Sequence, residues 1–495
     1  MGARQAIYNA LGGLAKRIEA RGQRRAAGSQ TTTRRGFRRS YTAGSVSRLT
    51  SDWNVSDLSA DETIYPALTR MRARSRDLAR NNDYAKRYFN LLKTNVIGHQ
   101  GIRLQVRSKD ASGKLDTGAN KLIESGWQKW GRVGSCTTCG QLSWIDVLNM
   151  ALESAARDGG ILIKKVTSWD GNEFQFAIQL IESDMLDINR NTLLPGGGSI
   201  RMGVQRDKYQ RIVAYWIKTN NSRYGGGGVS EPIPASEIIH LYRLDRVGQS
   251  CGVPETAAPA TRLKQIDAHE EAHVVASRIG ASKMGFFTTT TDGAQYQGDD
   301  EDENGDIITE AEPGTFEQLP DGVDFKAWDP QFPVSTFADF EAAVLRGIAS
   351  GLNVSYVSLA NDLKGVSYSS IRQGELADRD WWRVLQTWLI EHLCQPIFEE
   401  WLKWALLTQA VKLPYGKIDK FNAAVWRPRG WAWVDPYKES RASESDVKNQ
   451  FKSLHDVAAE RGYDLEEIFE ANKRAKDLAK IYEITIPTLE DETTP

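Results

Sequence analysis

Two long helical patterns flank a segment of a different character in the second half of the chain. Residues 255–283 have helical spacing with Pro259 near the start, and a continuous helix of this length would be roughly 40 Å long. Residues 286–332 contain threonine runs, Pro-Gly and Pro-Asp-Gly sequences and clustered acids, which predict short strands joined by loops. Helical spacing returns over residues 337–352. The fold must therefore place two helices on either side of a β-containing insertion.

Helices and strands are both predicted elsewhere in the chain. Residues 63–97 predict two helices interrupted at Asn81-Asn82, and residues 368–409 predict a long helix that Pro396 should kink or break. A tryptophan-rich loop and then further helices are predicted after Pro414. Strand patterns occur at residues 102–106, 161–166, 174–181 and 212–217. This mixture of elements predicts an α+β fold.

Charge is unevenly distributed, although the net charge of the chain is only −1. Residues 1–50 hold eleven Lys and Arg against one Glu, a net charge of +10 (11 − 1). We expect residues 1–40 to be a disordered basic arm, which either contacts nucleic acid or an acidic partner or is a solubilising tail. The arginines available for such a contact are Arg24, Arg25, Arg34, Arg35, Arg38 and Arg39.

The β-containing insertion carries an opposite charge. Residues 299–312 contain eight acids and no base. We expect a mobile acidic loop here, which is either a solvated surface or a docking surface for a partner. The first acids of this run are Asp299, Asp300, Glu301, Asp302 and Glu303.

Length and composition exclude several classes of protein. Charged residues make up 26% of the 495, which argues against a wholly disordered or collagen-like chain. No uncharged apolar run reaches the roughly 18 residues that a membrane span needs, so no membrane partner is expected. Four cysteines fit a reducing cytoplasm, and Cys136 and Cys139 form only half of a zinc ribbon. No Walker motif or G-x-S-x-G elbow is present.

The clearest catalytic candidate is the sequence His269-Glu-Glu-Ala-His273. It matches H-E-x-x-H, in which two histidines on one helical face bind zinc and the glutamate activates water. Glu271 stands where such motifs carry an uncharged residue, and Ala276 and Ile279 replace the Gly and His of the extended form. The alternative is a charged stretch of a long helix that faces solvent or another subunit. We expect neither a metal nor a cofactor.

Four motifs occur in one order along most of the chain. They are Arg70–Asn82 leading to Asn95–Gly98, Arg246–Pro254, Ser367–Arg372, and Trp426–Trp431 followed by Asp435–Glu439. Together, over roughly residues 50–480, these motifs resemble the lambda-type portal proteins of tailed bacteriophages. Two positions depart from that pattern, Ser367 where Asn or Asp is common and Cys251 where Arg is usual.

This resemblance implies a structural protein, not an enzyme. Portal proteins form a closed ring, with about twelve copies, at the capsid vertex of the virion after assembly in the host cytoplasm. The regions implied for this sequence are a wing at 41–250, stem helices at 251–281 and 336–352, a clip at 282–335, a tunnel loop at 353–367, a spine helix at 368–410, a crown at 411–480 and a tail at 481–495.

The resemblance also implies that double-stranded DNA passes through the ring during packaging and ejection. Phosphate contacts hold nucleic acid tightly, so a channel surface should present few basic groups. The tunnel loop fits this expectation, and its channel-facing candidates are Asn353, Asn361, Asp362 and Lys364. Lys364 either contacts DNA or forms a salt bridge with Asp362 or a neighbouring subunit.

The implied protein partners belong to the head and the packaging apparatus of the phage. The terminase large subunit would dock on the clip, where the acidic run is a candidate surface, and head–tail connector proteins would replace it. The major capsid protein and a scaffold protein are further implied partners.

Two other functions remain open at the level of sequence. One is a zinc-dependent hydrolase that uses His269, Glu270 and His273. The other is a monomeric nucleic-acid-binding protein that uses the basic arm. Metal analysis separates the first of these from a ring-forming conduit, and removal of the arm separates the second.

Overall fold

The computed structural model describes most of the chain after the basic arm. The residues it describes are 48, 52, 57–219, 229–281, 285–289, 300–301, 307–308, 323–327, 337–364, 367–431, 436–461, 463 and 465–482. Residues 59–495 form one of the two units into which the chain divides, and the following description concerns that unit. Several predictions lie outside the described residues: the arm at 1–40, with Arg24, Arg25, Arg34, Arg35, Arg38 and Arg39, and the acids Asp299, Asp302 and Glu303.

A helical region begins the unit. Its elements are α1 (Ala60–Asn81), α2 (Asp83–Leu92) and one π turn (Lys93–Ile97). Ser59 caps α1 in a capping box with Glu62. Asn82 takes an extended conformation that ends α1, and its side chain accepts the backbone N–H of Ala85 at 2.9 Å to cap α2. The predicted break between the two helices is confirmed, because one residue both ends the first and begins the second.

Two further helices and a set of short strands follow. The elements are β1 (Arg103–Val106), α3 (Thr117–Trp130), α4 (Trp144–Asp158), β2 (Ile161–Thr167), β3 (Phe176–Glu182), β4 (Thr192–Leu193), β5 (Ser199–Arg201), β6 (Val204–Arg206), β7 (Ile212–Lys218), β8 (Ser230–Pro234) and β9 (Ile238–Leu241). Antiparallel pairing gives a three-stranded sheet in the order β3-β2-β9 and a five-stranded meander from β4 to β8. The four predicted strands are confirmed as β1, β2, β3 and β7.

Two helices flank the β-containing insertion, as predicted. The elements are α5 (Ala260–Ala281), β10 (Gly285–Thr289), β11 (Asp300–Glu301), β12 (Ile307–Ile308), β13 (Val323–Ala327) and α6 (Phe337–Gly351). The predicted start of α5 at 255 is wrong, because residues 255–257 form a separate 3₁₀ turn and α5 begins directly after Pro259. Proline lacks the N–H that a helix interior uses and is tolerated best at a helix start. Asp300 and Glu301 were predicted to lie in a loop but form β11, which pairs with β12.

A short helix and a long interrupted helix come next. They are α7 (Tyr356–Ala360), α8 (Tyr368–Leu389), a π turn (Ile390–Cys394) and α9 (Gln395–Leu407). The predicted interruption near Pro396 is confirmed, since Pro396 lies in the first turn of α9 where a missing N–H costs little. The prediction that 353–367 is only a loop is wrong, because the Ser355 side chain accepts the Ser358 N–H and starts α7.

The C-terminal region contains a strand and four helices among the residues described. They are α10 (Ile418–Phe421), β14 (Ala424–Arg427), α11 (Pro436–Lys448), α12 (Leu454–Glu460) and α13 (Leu465–Ile481). The predicted tryptophan-rich loop is therefore wrong in part. Its residues 424–427 pair antiparallel with β1, with Trp426 opposite Leu104. The helices predicted after it are confirmed.

Aromatic rings form the centre of the main core. Rings from α3, α4, α9 and β14 lie 4.8 to 5.8 Å from the Trp127 ring, and we call this group the aromatic cluster. Its members are Trp127, Trp130, Trp144, Phe398, Trp401 and Trp426. The cluster joins elements that lie far apart in sequence and thereby fixes the frame of the unit. Over the described residues, no helix is both long and apolar enough to cross a membrane.

Candidate functional site

Residues 353–364, which we call the anchored segment, join α6 to α8 and include the four predicted channel-facing residues. The carboxylate of Asp378 in α8 is 8% exposed and holds the start of α7. It accepts hydrogen bonds from the N–H and the Oγ of Ser355 and from the Oγ of Ser358, each at 2.8 Å. Hydrogen bonds to a buried ionised group are among the stronger ones in proteins, so this contact fixes the base of the segment.

Two arginines hold the anchored segment from other helices. Arg87 in α2 donates its Nε–H to the backbone oxygen of Ser358 at 3.1 Å. The Arg346 guanidinium in α6 lies 5.1 Å from the centroid of the Tyr356 ring. With Asp378, these contacts tie the segment to three helices.

Asp362 is held within the anchored segment, whereas Lys364 is exposed. Asp362 Oδ1 accepts the backbone N–H of Lys364 at 2.9 Å, and Oδ2 accepts the Tyr356 hydroxyl at 2.9 Å. The Lys364 amide, followed by the Tyr356 hydroxyl, lowers the pKa of Asp362. Lys364 meets Asp362 through its backbone, and its ammonium forms no salt bridge with that carboxylate. The intrachain salt bridge considered from the sequence is therefore wrong.

Asn353 and Asn361 have a backbone role in the anchored segment. Both adopt a left-handed conformation, with φ of 56° and 54°, and both are exposed. Asn361 ends α7, and Asn353 lies in the turn that leaves α6. Asparagine tolerates this conformation better than most residues, so a turn requirement accounts for both positions. Their exposed amides are also available to a partner.

The Arg246–Pro254 motif packs against α1 and α4. Ser250 donates its N–H and its Oγ–H to the two oxygens of Asp61, each at 2.7 Å. Gly252 approaches Gly159 so closely that a Cβ on Gly252 would lie 1.9 Å from the Gly159 oxygen. Only glycine fits at this position without a shift of the backbone, which explains why residue 252, directly before Val253 and Pro254, is a glycine. The motif therefore positions the chain that enters α5.

Two arginines of the first motif share one acidic cluster. Arg76 Nε lies 2.7 Å from Asp158 Oδ1, and Arg72 Nη1 lies 3.5 Å from Asp184 Oδ1. Arg76 also pairs with Asp184, and Arg72 donates to the backbone oxygen of Asp158 at 2.8 Å. Arg74 is exposed. Because Arg72 and Arg76 lie four residues apart, both project from one face of α1 toward this cluster.

The first and the fourth motifs meet at Asn95. Asn95 Oδ1 accepts hydrogen bonds from Arg429 Nη1 and Trp431 Nε1, each at 3.2 Å. Gln386 in α8 donates to the backbone oxygens of Val96 at 3.1 Å and Arg429 at 3.0 Å. Motifs separated by more than 300 residues thus form one contact, which the sequence did not reveal.

The H-E-x-x-H sequence lies at the contact between α5 and α6. The His273 ring lies 4.2 Å and the His269 ring 5.6 Å from the Phe337 ring. Glu270 instead accepts a hydrogen bond from the Tyr84 hydroxyl at 2.9 Å. Among the described residues, no three His, Cys, Asp or Glu side chains are grouped so that they could hold a metal ion. These histidines pack between helices, and the zinc hydrolase has no support.

The remaining sequence candidates form no possible metal site among the residues that the structure describes. Cys136 is buried and Cys139 is exposed, and both are free thiols. Burial raises the pKa of Cys136 to about 12, which disfavours the thiolate needed for metal binding. Asp300 and Glu301 lie in β11.

Comparison with known proteins decides the family. A sequence model of the family described as "Phage portal protein, lambda family" matches residues 46–386, which is more than half of the chain. This chain belongs to that family. A probable portal protein of Halomonas phage phiHAP-1 is 33% identical over 463 residues, which cover 91% of this chain and 88% of the relative. Portal protein B of Escherichia phage lambda is 22% identical over 462 residues, covering 84% of this chain and 85% of the relative.

Solved structures with some similarity come from particle necks. The neck of an empty GTA particle, computed with C6 symmetry, has a TM-score of 0.43 and 12% identity, and covers 79% of this chain and 93% of that one. The neck of a native GTA particle, computed with C12 symmetry, has a TM-score of 0.42 and 12% identity over the same shares.

Sequence reasoning missed Asp378, whose carboxylate holds the anchored segment of this portal family member. It follows Glu375 and precedes Asp380 in an exposed-looking charged stretch of α8, so nothing in its neighbourhood indicates burial. The available signal was Ser355-x-x-Ser358, a capping pattern whose hydroxyls need an acceptor. That pattern indicates that an acceptor for the two hydroxyls exists, but it does not identify the residue that supplies it.

Proposed function

We propose that this chain assembles with copies of itself into a closed ring of about twelve subunits, through which double-stranded DNA is packaged and ejected. Family membership over residues 46–386 supports this proposal, since the family is that of phage portal proteins. The observation that carries it in this chain is the anchored segment, which is bonded at its base and exposes Lys364. Such a surface contacts a moving duplex through few charges and therefore does not hold it.

In this proposal the regions of the subunit keep the bounds predicted from the sequence. The wing is residues 41–250, the clip is 282–335 and the crown is 411–480. The stem pairs 251–281 with 336–352, and the observed packing of His269 and His273 on Phe337 supports that pairing. The tunnel loop is 353–367, the spine helix 368–410 and the tail 481–495. The protein acts at the capsid vertex without catalysis, metal or cofactor.

The proposed partners follow from a position between capsid and tail. The terminase large subunit docks on the clip during packaging, and head–tail connector proteins replace it afterwards. The major capsid and scaffold proteins surround the ring during assembly in the host cytoplasm. The basic arm, residues 1–40, has a net charge of +9 (10 − 1) and is available to DNA or to one of these proteins.

A charge substitution tests the role of the anchored segment. Lys364→Ala should leave ring assembly unchanged and alter DNA packaging or retention, because it removes the exposed ammonium without touching the Asp378 contacts. Lys412→Ala removes another exposed lysine outside the segment and is the control. The readout is packaged genome per particle and its release on heating. Packaging and retention equal to those of the control would refute this role of Lys364.

The acidic run is tested separately. Replacing Asp299, Asp300, Glu301, Asp302 and Glu303 by their amides keeps the size of the side chains and removes the charge. Terminase binding to purified rings should weaken, most strongly at low salt, while the rings persist. Unchanged binding would remove the docking assignment and leave the conduit proposal in place.

A further inference from the structure

One hydroxyl group serves two carboxylates where α2, α5 and α6 meet. The Tyr84 hydroxyl of α2 lies 2.9 Å from Glu270 Oε1 in α5 and 3.2 Å from Glu341 Oε1 in α6. All three residues are partly buried. We call Glu270 and Glu341 the acid pair. A tyrosine hydroxyl has a single hydrogen to donate, so it cannot fully satisfy both carboxylates at once.

Among the described residues, no salt bridge offsets the charge of the acid pair. Lys264 of α5 pairs with Asp267 at 3.8 Å and with neither member of the pair. The charges that act most strongly on Glu270 are those of Glu341 and Asp267, and both are negative. The two histidines of the H-E-x-x-H sequence face the Phe337 ring instead. When both members of the acid pair are ionised, two like charges therefore oppose each other between α5 and α6.

A single proton shared by the acid pair removes this repulsion. Burial raises the pKa of Glu270, and the charge of Glu341 and a hydrogen bond between the two carboxyl groups raise it further. The Tyr84 hydroxyl acts in the opposite direction, because its hydrogen bond favours the ionised form and lowers this pKa. With one proton bound, one carboxyl group donates to the other, and the hydroxyl donates to the ionised member. The contact is then fully hydrogen-bonded, whereas without the proton it holds two negative charges.

The helices that carry this contact also hold the anchored segment. Arg87 lies on α2, about one turn after the shared hydroxyl, and donates to the backbone oxygen of Ser358 at 3.1 Å. Arg346 lies on α6, and its guanidinium is 5.1 Å from the centroid of the Tyr356 ring. A change in the spacing of α2 and α6 at the acid pair would therefore disturb both of these contacts.

We propose that the acid pair is a proton-controlled contact between α2, α5 and α6 that sets how readily the anchored segment opens. With the proton bound, the three helices are held together and the segment is ordered. With both carboxylates ionised, their repulsion loosens the contact and the segment opens more often. Asp362 responds in a separate range, below the ordinary carboxyl pKa of 3.8, because its own pKa is lowered. The inference goes beyond the proposed function and needs no DNA, so its failure would leave the conduit proposal in place.

Hydrogen exchange of the full-length protein between about pH 4 and 8, corrected for the intrinsic exchange rate, tests the proposal. Protection in residues 353–364 should fall as pH rises above the ordinary carboxyl pKa of 4.5, by roughly tenfold for each unit by which the pKa of Glu270 is raised. Glu341→Gln supplies an amide that donates at every pH, so protection should stay high. Asp339→Asn neutralises an exposed acid on the same helix and should leave the decline unchanged. Constant protection in the unaltered protein, or a decline that persists in Glu341→Gln, would overturn the proposal.

A second variant separates the shared proton from ordinary packing. Tyr84→Phe keeps the ring but removes the hydroxyl that favours ionised Glu270, so the decline in protection should move to higher pH. A tyrosine with only a packing role would give lower protection at every pH and the same midpoint, which would contradict the proposal. A decline caused by His269 or His273 would persist in Glu341→Gln, because that variant leaves both histidines unchanged.

Discussion

The aromatic cluster and the anchored segment are held by opposite means. Five rings surround Trp127 at centroid distances of 4.8 to 5.8 Å. The packing is therefore distributed over many contacts and does not depend on one of them. The anchored segment depends on one buried carboxylate, Asp378, which accepts three hydrogen bonds. Dispersed packing resists movement, whereas a few directional bonds can be broken and remade together. We therefore expect the anchored segment to open locally at a lower free-energy cost than the aromatic cluster does.

The largest effect is expected from breaking the aromatic cluster. Trp401→Ala should destabilise the protein by roughly 3–5 kcal/mol, since Trp401 is fully buried and its removal leaves a cavity. Phe451→Ala is the control, because Phe451 is 80% exposed and its loss should change stability by no more than about 0.5 kcal/mol. Urea denaturation followed by circular dichroism measures both. A loss below about 1 kcal/mol for Trp401→Ala would show that the frame does not depend on the cluster.

A smaller and more local effect is expected at the base of the anchored segment. Asp378→Ala leaves three donors without their acceptor and should cost about 2 kcal/mol. Hydrogen exchange should accelerate in residues 353–364 and stay unchanged in α3 and α9. Asp380→Ala is the control, because its salt bridge with Arg383 at 2.8 Å is exposed and contributes little. Faster exchange throughout the protein would mean that the segment and the frame form one cooperative unit.

The smallest effect is a pH dependence at the contact between α5 and α6. Burial raises the pKa of Glu270, and the neighbouring Glu341 charge raises it further. The Tyr84 hydroxyl donates to carboxylate oxygens of both residues, at 2.9 Å to Glu270 and 3.2 Å to Glu341. The folded state therefore binds the Glu270 proton more tightly than the unfolded state does. The resulting stability is present at low pH and is lost as pH rises from the ordinary carboxyl pKa of 4.5 through the raised value.

Substitution isolates that contribution. Glu270→Gln should remove the loss of stability in this pH window, while Glu271→Gln at the exposed neighbouring position should keep it. Thermal unfolding measured from pH 4 to 7 is the readout. The anchored segment should behave in the opposite sense, since the lowered pKa of Asp362 gives stability that is lost as pH falls. An identical pH profile for both glutamine variants would refute the assignment to Glu270.

Local chemistry explains which parts of the fold were predictable. The break between α1 and α2 and the interruption at Pro396 follow from Asn82 and from a proline, whose effects need no distant partner. Strand β14 was not predictable in the same way, because it pairs with β1 across 322 positions (426 − 104), as Trp426 opposite Leu104 shows. Unlike β1, β14 does not alternate between apolar and polar residues, so only its partner identifies it as a strand.

The candidate site also has one part that local sequence predicts and one part that depends on a distant residue. The positions of Asn353, Asn361, Asp362 and Lys364 within one short segment follow from their adjacency in sequence. Their anchor does not, because Asp378 lies in another helix and resembles its exposed charged neighbours. Tertiary contact, which a single sequence does not display, creates this anchor.

The most direct test of the account is negative-stain electron microscopy of the purified full-length protein, combined with its mass in solution. A ring-forming conduit predicts particles with a central hole, roughly twelve-fold symmetry and a mass of many subunits of 55.3 kDa. A stable monomer that holds one equivalent of zinc would contradict the account and restore the hydrolase built on His269, Glu270 and His273.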